Sequence, residues 1–382
     1  MKNAALRNIT QYVKPDIFTV NEISPLAAFH QQILDSVLNS NGGTKYKKVP
    51  STNIAASDII NMTYYNSDKL EYHSMSVAQT YIRDINIYRF YYKPLSFTNG
   101  DTAFLSCIQA HLKAGDASSD PQNPIDRDTM TTRLMRYLNT INKADNLMVM
   151  GDFNVYTSSE NCFQRLVNYP NLNIRFYDPI NKMGSWNNNS SFAAYHTQST
   201  HTASGCAATG GMDDRFDFIL LSNMILNGVG HYQYIPNSYK TIGNDGFHFN
   251  SAINASPQNN SVPSNVLSAL YNNSDHLPIV VDLLVNPTVS ISEYNKQSPF
   301  VNLSIENPVK GQLNFFLPLE KPMKCELNII NIQGQSLFAA TLQLSEGNNQ
   351  KQIILPSIPS GLYFLQLRCM DSKFQKKIII NN

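Results

Sequence analysis

The sequence predicts an α/β or α+β layered domain over residues 1–285 and a small all-β sandwich over residues 301–382. Three observations carry this. At 382 residues the chain is longer than one compact core serves, so two domains are expected. Apolar strand-like runs alternate with amphipathic helical stretches as far as residue 285, and helical periodicity vanishes beyond residue 300. An apolar fraction of 42% supports globular folding and argues against wholesale disorder.

The elements follow in order. Leu6, Ile9 and Val13 stand at helical spacing, and Pro15 stops that helix. Residues 16–22 read as a strand ending at the carboxylate of Glu22. A second amphipathic helix follows, with Leu26, Phe29, Ile33, Val37 and Leu38 as its apolar stripe. Strands are expected at 59–65, 84–92, 103–111 and 146–152, and a helix over 128–143. The stretch 187–210, crowded with Asn, Ser, Thr and Gly, and the stretch 254–265, with Pro257 and Pro263, read as long surface loops. Strands resume at 215–222 and 278–285. Residues 286–300 lack periodicity and hold Pro287 and Pro299, which places the linker there. Short strand-like runs at 313–317, 325–332, 352–355, 363–368 and 376–380 then alternate with turns at Gly311, Gly334, Gly347 and Gly361.

Bulk properties exclude little else. Lys plus Arg (29) nearly cancels Asp plus Glu (28), so no global charge draws the chain to nucleic acid or membranes. No apolar run is long enough to predict a transmembrane segment. Residues 1–10 carry a Lys but no apolar core, and no signal peptide is read there. The five cysteines form no CxxC pair, so a zinc ribbon is unsupported, and their odd number leaves at least one without an intrachain partner.

Four separated segments share one design, an apolar strand delivering polar residues at its end. They are Val20-Asn21-Glu22, Ile108-Gln109-Ala110-His111, Gly151-Asp152-Phe153-Asn154 and Ser274-Asp275-His276. In an extended chain Asp152 and Asn154 point to the same side. A carboxylate that binds a hard cation or orients water, beside an amide that donates without adding negative charge, suits a phosphoryl centre. The same pair also reads as an Asx-turn after a strand. Asp217 lies inside an apolar strand, where a carboxylate needs a partner.

Here the sequence resembles the endonuclease/exonuclease/phosphatase (deoxyribonuclease I-like) superfamily. Gly151-Asp152-Phe153-Asn154 with Ser274-Asp275-His276 is similar to its paired signature, and residues 15–22 to its metal-ligand segment, with Asn21 where many relatives carry Gln. His111-Leu112-Lys113-Ala114 resembles the histidine segment of branches with two active-site histidines, and residues 215–220 the strand whose Asp orients the C-terminal histidine. The resemblance implies a four-layer α/β sandwich and a Mg²⁺-dependent phosphodiesterase, with Mn²⁺ or Ca²⁺ as alternative ions, acting on nucleic acid. It further implies that Glu22 and Asp275 bear on the metal, Asp152 orients the attacking water, and Asn154 holds a phosphate oxygen. His276, oriented by Asp217, would be general base or electrostatic partner, and His111 would serve a non-bridging oxygen or the leaving group. Asp58 as partner of His111, Arg89 as phosphate contact, and His196 and His201 near substrate are weaker candidates. A sphingomyelinase or phosphomonoesterase fits the same core, as does a catalytically impaired surface or adhesion protein that kept the fold. The family's first strand, presenting an Asn, has no counterpart before the first helix, and a start upstream of Met1 carrying that strand and a signal peptide is expected.

Residues 305–382 hold Glu306-Asn307-Pro308-Val309, Ile332-Gln333-Gly334-Gln335, Pro359-Ser360-Gly361-Leu362-Tyr363-Phe364 and Lys376-Lys377. In this order they resemble the type A sorting domain of the type IX secretion system. The resemblance implies passage through that machinery to the cell surface or medium, and Gly334 and Gly361 fit positions that need positive φ. An unrelated β-sandwich, such as a carbohydrate-binding one, is the alternative.

Overall fold

The structure, a computed structural model, describes residues 2–93, 102–203, 205–286, 303–319, 321–331, 333–369 and 372–381. The chain divides into two compact units, Met1–Val289 and Ser290–Asn382. Of the linker expected at 286–300, all but Asn286 lies outside the described residues.

The first unit opens with α1 (Asn3–Val13), β1 (Ile17–Ile23), α2 (Ala27–Ile33) and β2 (Tyr46–Lys48). Next come β3 (Ile60–Asn66), β4 (Leu70–Gln79), β5 (Ile85–Tyr92), β6 (Phe104–Gln109), α3 (Gln122–Ile141) and β7 (Leu147–Asp152). They are followed by α4 (Asn161–Val167), β8 (Phe176–Tyr177), β9 (Asp217–Ser222), α5 (Asn223–Asn227) and β10 (Tyr232–Tyr234). The unit closes with β11 (Lys240–Thr241), α6 (Ser264–Asn273), β12 (Ile279–Val280) and β13 (Leu283–Val285).

A six-stranded sheet in the order β4-β5-β6-β7-β9-β8 is the centre of the unit. It is antiparallel except where β6 meets β7. Both faces are buried, so its inner strands are apolar on both sides. Ile85, Ile108, Val149, Phe218 and Leu220 meet Met130, Leu134 and Leu138 of α3 and Phe163 of α4 on one face. Tyr88, Phe90, Cys107, Met148, Met150 and Ile219 meet Tyr65 of β3 and Tyr232 and Tyr234 of β10 on the other. The strands on that side are β1-β3-β2 and the pairs β10-β13 and β11-β12. Beyond them α6 packs Val266 and Leu270 with Ile9 of α1, and Ile33 and Val37 pack with Met62 and Tyr64 of β3. Helices, sheet, strands and helices make four layers, the α/β sandwich expected. Among the described residues β1 pairs only with β3, while β12 and β13 pair only with β11 and β10. These strands border one cavity of about 580 Å³, floored by Leu105, Met148, Met150 and Ile219.

Several expectations need correcting. The helix placed at 128–143 starts at Gln122, because Asn123, Asp126 and Arg127 are buried and bonded despite their polarity. The stripe of the second helix fails at Leu26 (63% exposed) and Phe29 (37%), and its apolar contacts begin at Ile33. β4 is a half-solvated edge strand whose mixed composition hides it. Within the supposed loops, α6 begins at Ser264, and His196, Thr197, Ser199, Thr200 and His201 are buried. The strand expected at 278–285 is broken into β12 and β13. Among the described residues no helix is long and apolar enough to cross a membrane.

The second unit is a sandwich of two antiparallel sheets. Its strands are β14 (Ser304–Ile305), β15 (Gln312–Leu319), β16 (Met323–Ile330), β17 (Ser336–Leu344), β18 (Gly347–Ile354), β19 (Gly361–Cys369) and β20 (Ser372–Ile380). One sheet runs β14-β15-β18 and the other β17-β16-β19-β20. Leu313, Phe315 and Leu317 interdigitate with Leu327, Ile329, Leu365, Leu367 and Ile378 between them. A disulfide joins Cys325 of β16 to Cys369 of β19, while Cys107, Cys162 and Cys206 are free thiols. Gly334 has the expected positive φ (+84°), but Gly361 does not. Gly361 pairs with Ile380 as ordinary strand, so no turn geometry demands a glycine there. Ile332 of the expected turn motif lies outside the described residues.

Candidate active site

The strand ends that carry polar residues converge. β6 and β7 run parallel, so Ala110 N–H donates to Met150 O and Leu112 N–H to Asp152 O, both at 2.9 Å. His111 and Asp152 therefore emerge side by side. Gly151 makes this possible: its φ is +134°, and a Cβ there would sit 1.9 Å from Ala110 O. Beyond Asp152 the strand turns rather than continuing extended. Asn154 has φ +51°, its N–H donates to Asp152 Oδ1 at 2.9 Å, and its Nδ2 donates to Asp152 Oδ2 at 3.0 Å and to Leu112 O at 3.2 Å. The Asx-turn and the site reading are thus the same geometry. Its effect is to aim the buried carboxylate.

Glu22 arrives from the other sheet. Gln109 Nε2 donates to Val20 O at 2.9 Å, and Asn21 Nδ2 donates to Asn61 Oδ1 at 2.7 Å. Between Val20 and Ile23 the ladder slips, and Glu22 takes φ +59°, a strained backbone for a residue with a Cβ. The bulge turns its carboxylate outward, 55% exposed, with Oε1 3.6 Å from His111 Nε2. Asp152 Oδ2 lies 3.7 Å from the same nitrogen. Both separations exceed hydrogen-bond length, and both ring nitrogens of His111 are buried without a partner among the described residues. Burial first, then the positive charges of Arg83 and His276, holds His111 well below its ordinary range, so it is neutral at pH 7.

His276 is the opposite case. Its Nδ1 donates to Asp217 Oδ2 at 2.7 Å, and the Gln198 side-chain amide lies 2.6 Å from its Nε2, turned to accept through its oxygen when the ring is protonated. Thr197 fixes the strand behind this pair, its hydroxyl accepting from Phe216 N–H at 3.1 Å and Asp217 N–H at 3.2 Å. Burial opposes protonation, but Asp217, by charge and hydrogen bond, with Asp152 and Asp275 behind it, outweighs burial and pushes the imidazole up to about 10. It is a cation at neutral pH. Asp152 moves the other way for a carboxylate: burial holds it well above the ordinary range, with Asp217 and Glu22 adding to the shift and His276 opposing it.

Among the described residues no group of three or more His, Cys, Asp or Glu forms a ready-made metal cluster. The donor chemistry nevertheless fits a hard cation held largely by water and substrate. Glu22 offers exposed carboxylate oxygens, and Asp152 is buried against carboxylate charge that a cation would relieve. Asp275 Oδ2 accepts from Ala208 N–H at 2.8 Å, and Ser274 Oγ lies 3.4 Å from its Oδ1.

The weaker candidates lie elsewhere. Asp58 is exposed and makes no bond to His111 among the described residues. Arg89 meets Asp145 at 3.5 Å and stacks on Phe104. His196 is spent between Trp186 O at 2.9 Å and Met212 O at 3.3 Å, and His201 stacks on Tyr271. Sequence reasoning did not single out Gln198, in a polar loop-like run, or Arg83, a lone charge in the turn before β5, although both bear on the two histidines.

Residues 307–381 match the family model of the secretion system C-terminal sorting domain. Among solved structures, this chain is similar to D. rerio TDP2 humanized by 14 mutations, at 13% identity, 74% of this chain, 91% of that chain and TM-score 0.45. The human nocturnin catalytic domain with bound sulfate gives 14% identity, 75% of this chain, 86% of that chain and TM-score 0.44. An endonuclease/exonuclease/phosphatase from Beutenbergia cavernae gives 9% identity, 99% of this chain, 94% of that chain and TM-score 0.38. No curated protein matches the sequence.

Proposed function

We propose that the first unit is a Mg²⁺-dependent phosphodiesterase, an exported endonuclease that hydrolyses nucleic-acid phosphodiester bonds. The observation that carries the reading is convergence: Glu22, His111, Asp152, Asn154 and the Asp217–His276 pair come from separate strands of two sheets to one place. The deoxyribonuclease I-like motif order of the sequence supports it.

The residues divide the work by protonation state. Asp152, raised toward neutrality and aimed by Asn154, takes the proton of the attacking water as its oxygen bonds to phosphorus. Neutral His111 has an N–H free to donate to a non-bridging oxygen. Imidazolium His276, held by Asp217, gives its proton to the leaving oxygen as the phosphorus–oxygen bond breaks. Its raised pKa favours this acid role over a general base. Glu22 would hold the cation, which when bound supplies neutralisation of the phosphoryl charge. The sorting domain supports export through the type IX machinery to the surface or medium.

The full chain is incubated with Mg²⁺ and single-stranded DNA, duplex DNA, RNA or sphingomyelin, beside a His276→Ala control. Cleavage of a nucleic acid is expected, lost with chelator and with the substitution. Equal turnover by wild type and His276→Ala would refute the assignment, and turnover of sphingomyelin alone would move the substrate class.

A further inference from the structure

We propose that β17 is a strand-pairing surface that joins the second unit to a second copy of this chain, antiparallel about a two-fold axis at Ala340. The inference concerns the second unit alone and does not rest on the phosphodiesterase reading. Among the described residues the two sheets of this unit have four edge strands, β14, β18, β17 and β20. Three of them are guarded against a further strand. β14 is only two residues long. β18 carries Lys351 directly opposite the core residue Phe315, so a charge occupies an inward-facing position. β20 carries Lys376 opposite the buried Leu365, and Lys377 next to it. Such charges keep one sheet edge from adding to another, because pairing would withdraw them from water. β17 has no such guard. Its nine residues include no charged residue, Pro or Gly, and among the described residues it pairs only with β16.

The pattern along β17 selects its own copy as the occupant. Phe338, Ala340 and Leu342 stand opposite Ile329, Leu327 and Cys325. Those three partners are fully buried, yet Phe338, Ala340 and Leu342 are only half-buried, because the sheet ends there. Leu337, Ala339, Thr341 and Gln343 alternate with them and are exposed. Ala340 is the midpoint of Ser336–Leu344, so an antiparallel copy in full overlap sets Ala340 against its own counterpart. On the inner side Phe338 then faces Leu342 of the other copy, and Leu342 its Phe338. On the outer side Leu337 meets Gln343 and Ala339 meets Thr341. No pair sets like charges together, and the inner pairs are apolar, which is what favours two antiparallel strands. The backbone groups that β17 turns away from β16 gain partners, and the seam at Phe338 and Leu342 is withdrawn from water. The same patch serves both copies, so the assembly closes at two. Lys376 and Lys377 on β20 keep the far edge of each joined sheet from extending it.

The test uses the full chain in sedimentation equilibrium at concentrations up to about 100 µM. Wild type is expected to be a reversible dimer. Ala339→Lys combined with Thr341→Lys, both at exposed outward positions, sets positive charges face to face across the pairing and should weaken the dimer at least about tenfold. Ala339→Glu combined with Thr341→Glu should do the same. An equimolar mixture of the two double variants should regain the dimer, because opposite charges then face each other in this register. Circular dichroism melts identify any variant that fails to fold. If one is lost, Ala340→Cys takes its place: air oxidation should link two copies by a disulfide at the axis, with wild type and its free thiols as the control. The proposal is overturned by a wild type that stays monomeric throughout, by charged variants that dimerise as tightly as wild type, by a mixture that regains nothing, or by an Ala340→Cys variant that links no more than wild type does.

Discussion

Replacing Asp217 by Asn tests the electrostatics of the site without removing an atom from its outline. In the native protein the imidazole of His276 rises from 6.5 to about 10, with Asp217 2.7 Å from Nδ1 as its main support. At 1.36 kcal/mol per pH unit that displacement corresponds to an upper bound of roughly 5 kcal/mol. Asp152 and Asp275 supply part of it, and the 21% exposure of the ring screens part, so about 2–4 kcal/mol is expected from Asp217. The sign is that of a base with a raised folded pKa. Its stabilisation is complete below 6.5 and is lost as pH rises through about 10. Denaturant unfolding of wild type and Asp217→Asn at intervals from pH 6 to pH 11 should therefore show a gap that is wide at pH 6–8 and closes above pH 10. A gap that stays constant across the range, or is absent at pH 7, would refute the claim that His276 is a cation held by Asp217.

Three further perturbations follow from other parts of the molecule. Gly151→Ala places a Cβ against Ala110 O in a backbone with φ +134°, and should cost about 3 kcal/mol or more in chemical denaturation. Asp214 is raised to about 7 chiefly by burial. An ionised buried carboxylate destabilises above that pH and ceases to do so below 3.8, so Asp214→Asn should stabilise the protein by about 1–3 kcal/mol at pH 8, with the gain gone near pH 3.5. Reducing Cys325–Cys369, which are 44 residues apart, should weaken the second unit by about 4 kcal/mol on the chain-entropy account. Calorimetry would register this as a shift in that unit's transition alone.

The central strands were legible in the sequence because burial on both faces leaves little room for polar residues. β5, β6, β7 and β9 are such strands, and Glu22, His111, Asp152 and His276 stand out as polar residues at the ends of apolar runs. β4 was hidden for the complementary reason: an edge strand is half-solvated, and its composition is mixed. α6 was hidden because a loop-like run of Pro, Asn and Ser leads into it, while its apolar face is explained by distant partners such as Ile9 of α1, Met212 and Ile253.

By itself the sequence determined the layered class, the sorting-domain motifs and which strand ends present polar residues, because periodicity and local residue order are one-dimensional properties. Protonation states and partnerships are not. That His276 is charged while His111 is neutral depends on Asp217 meeting one imidazole while desolvation, Arg83 and His276 itself act on the other, from positions up to 165 residues away along the chain. The same holds for Asp275, whose Oδ2 accepts from Ala208 N–H, 67 residues away along the chain. Only the tertiary structure brings those groups together, and electrostatic energy depends on distance and burial, not on order along the chain.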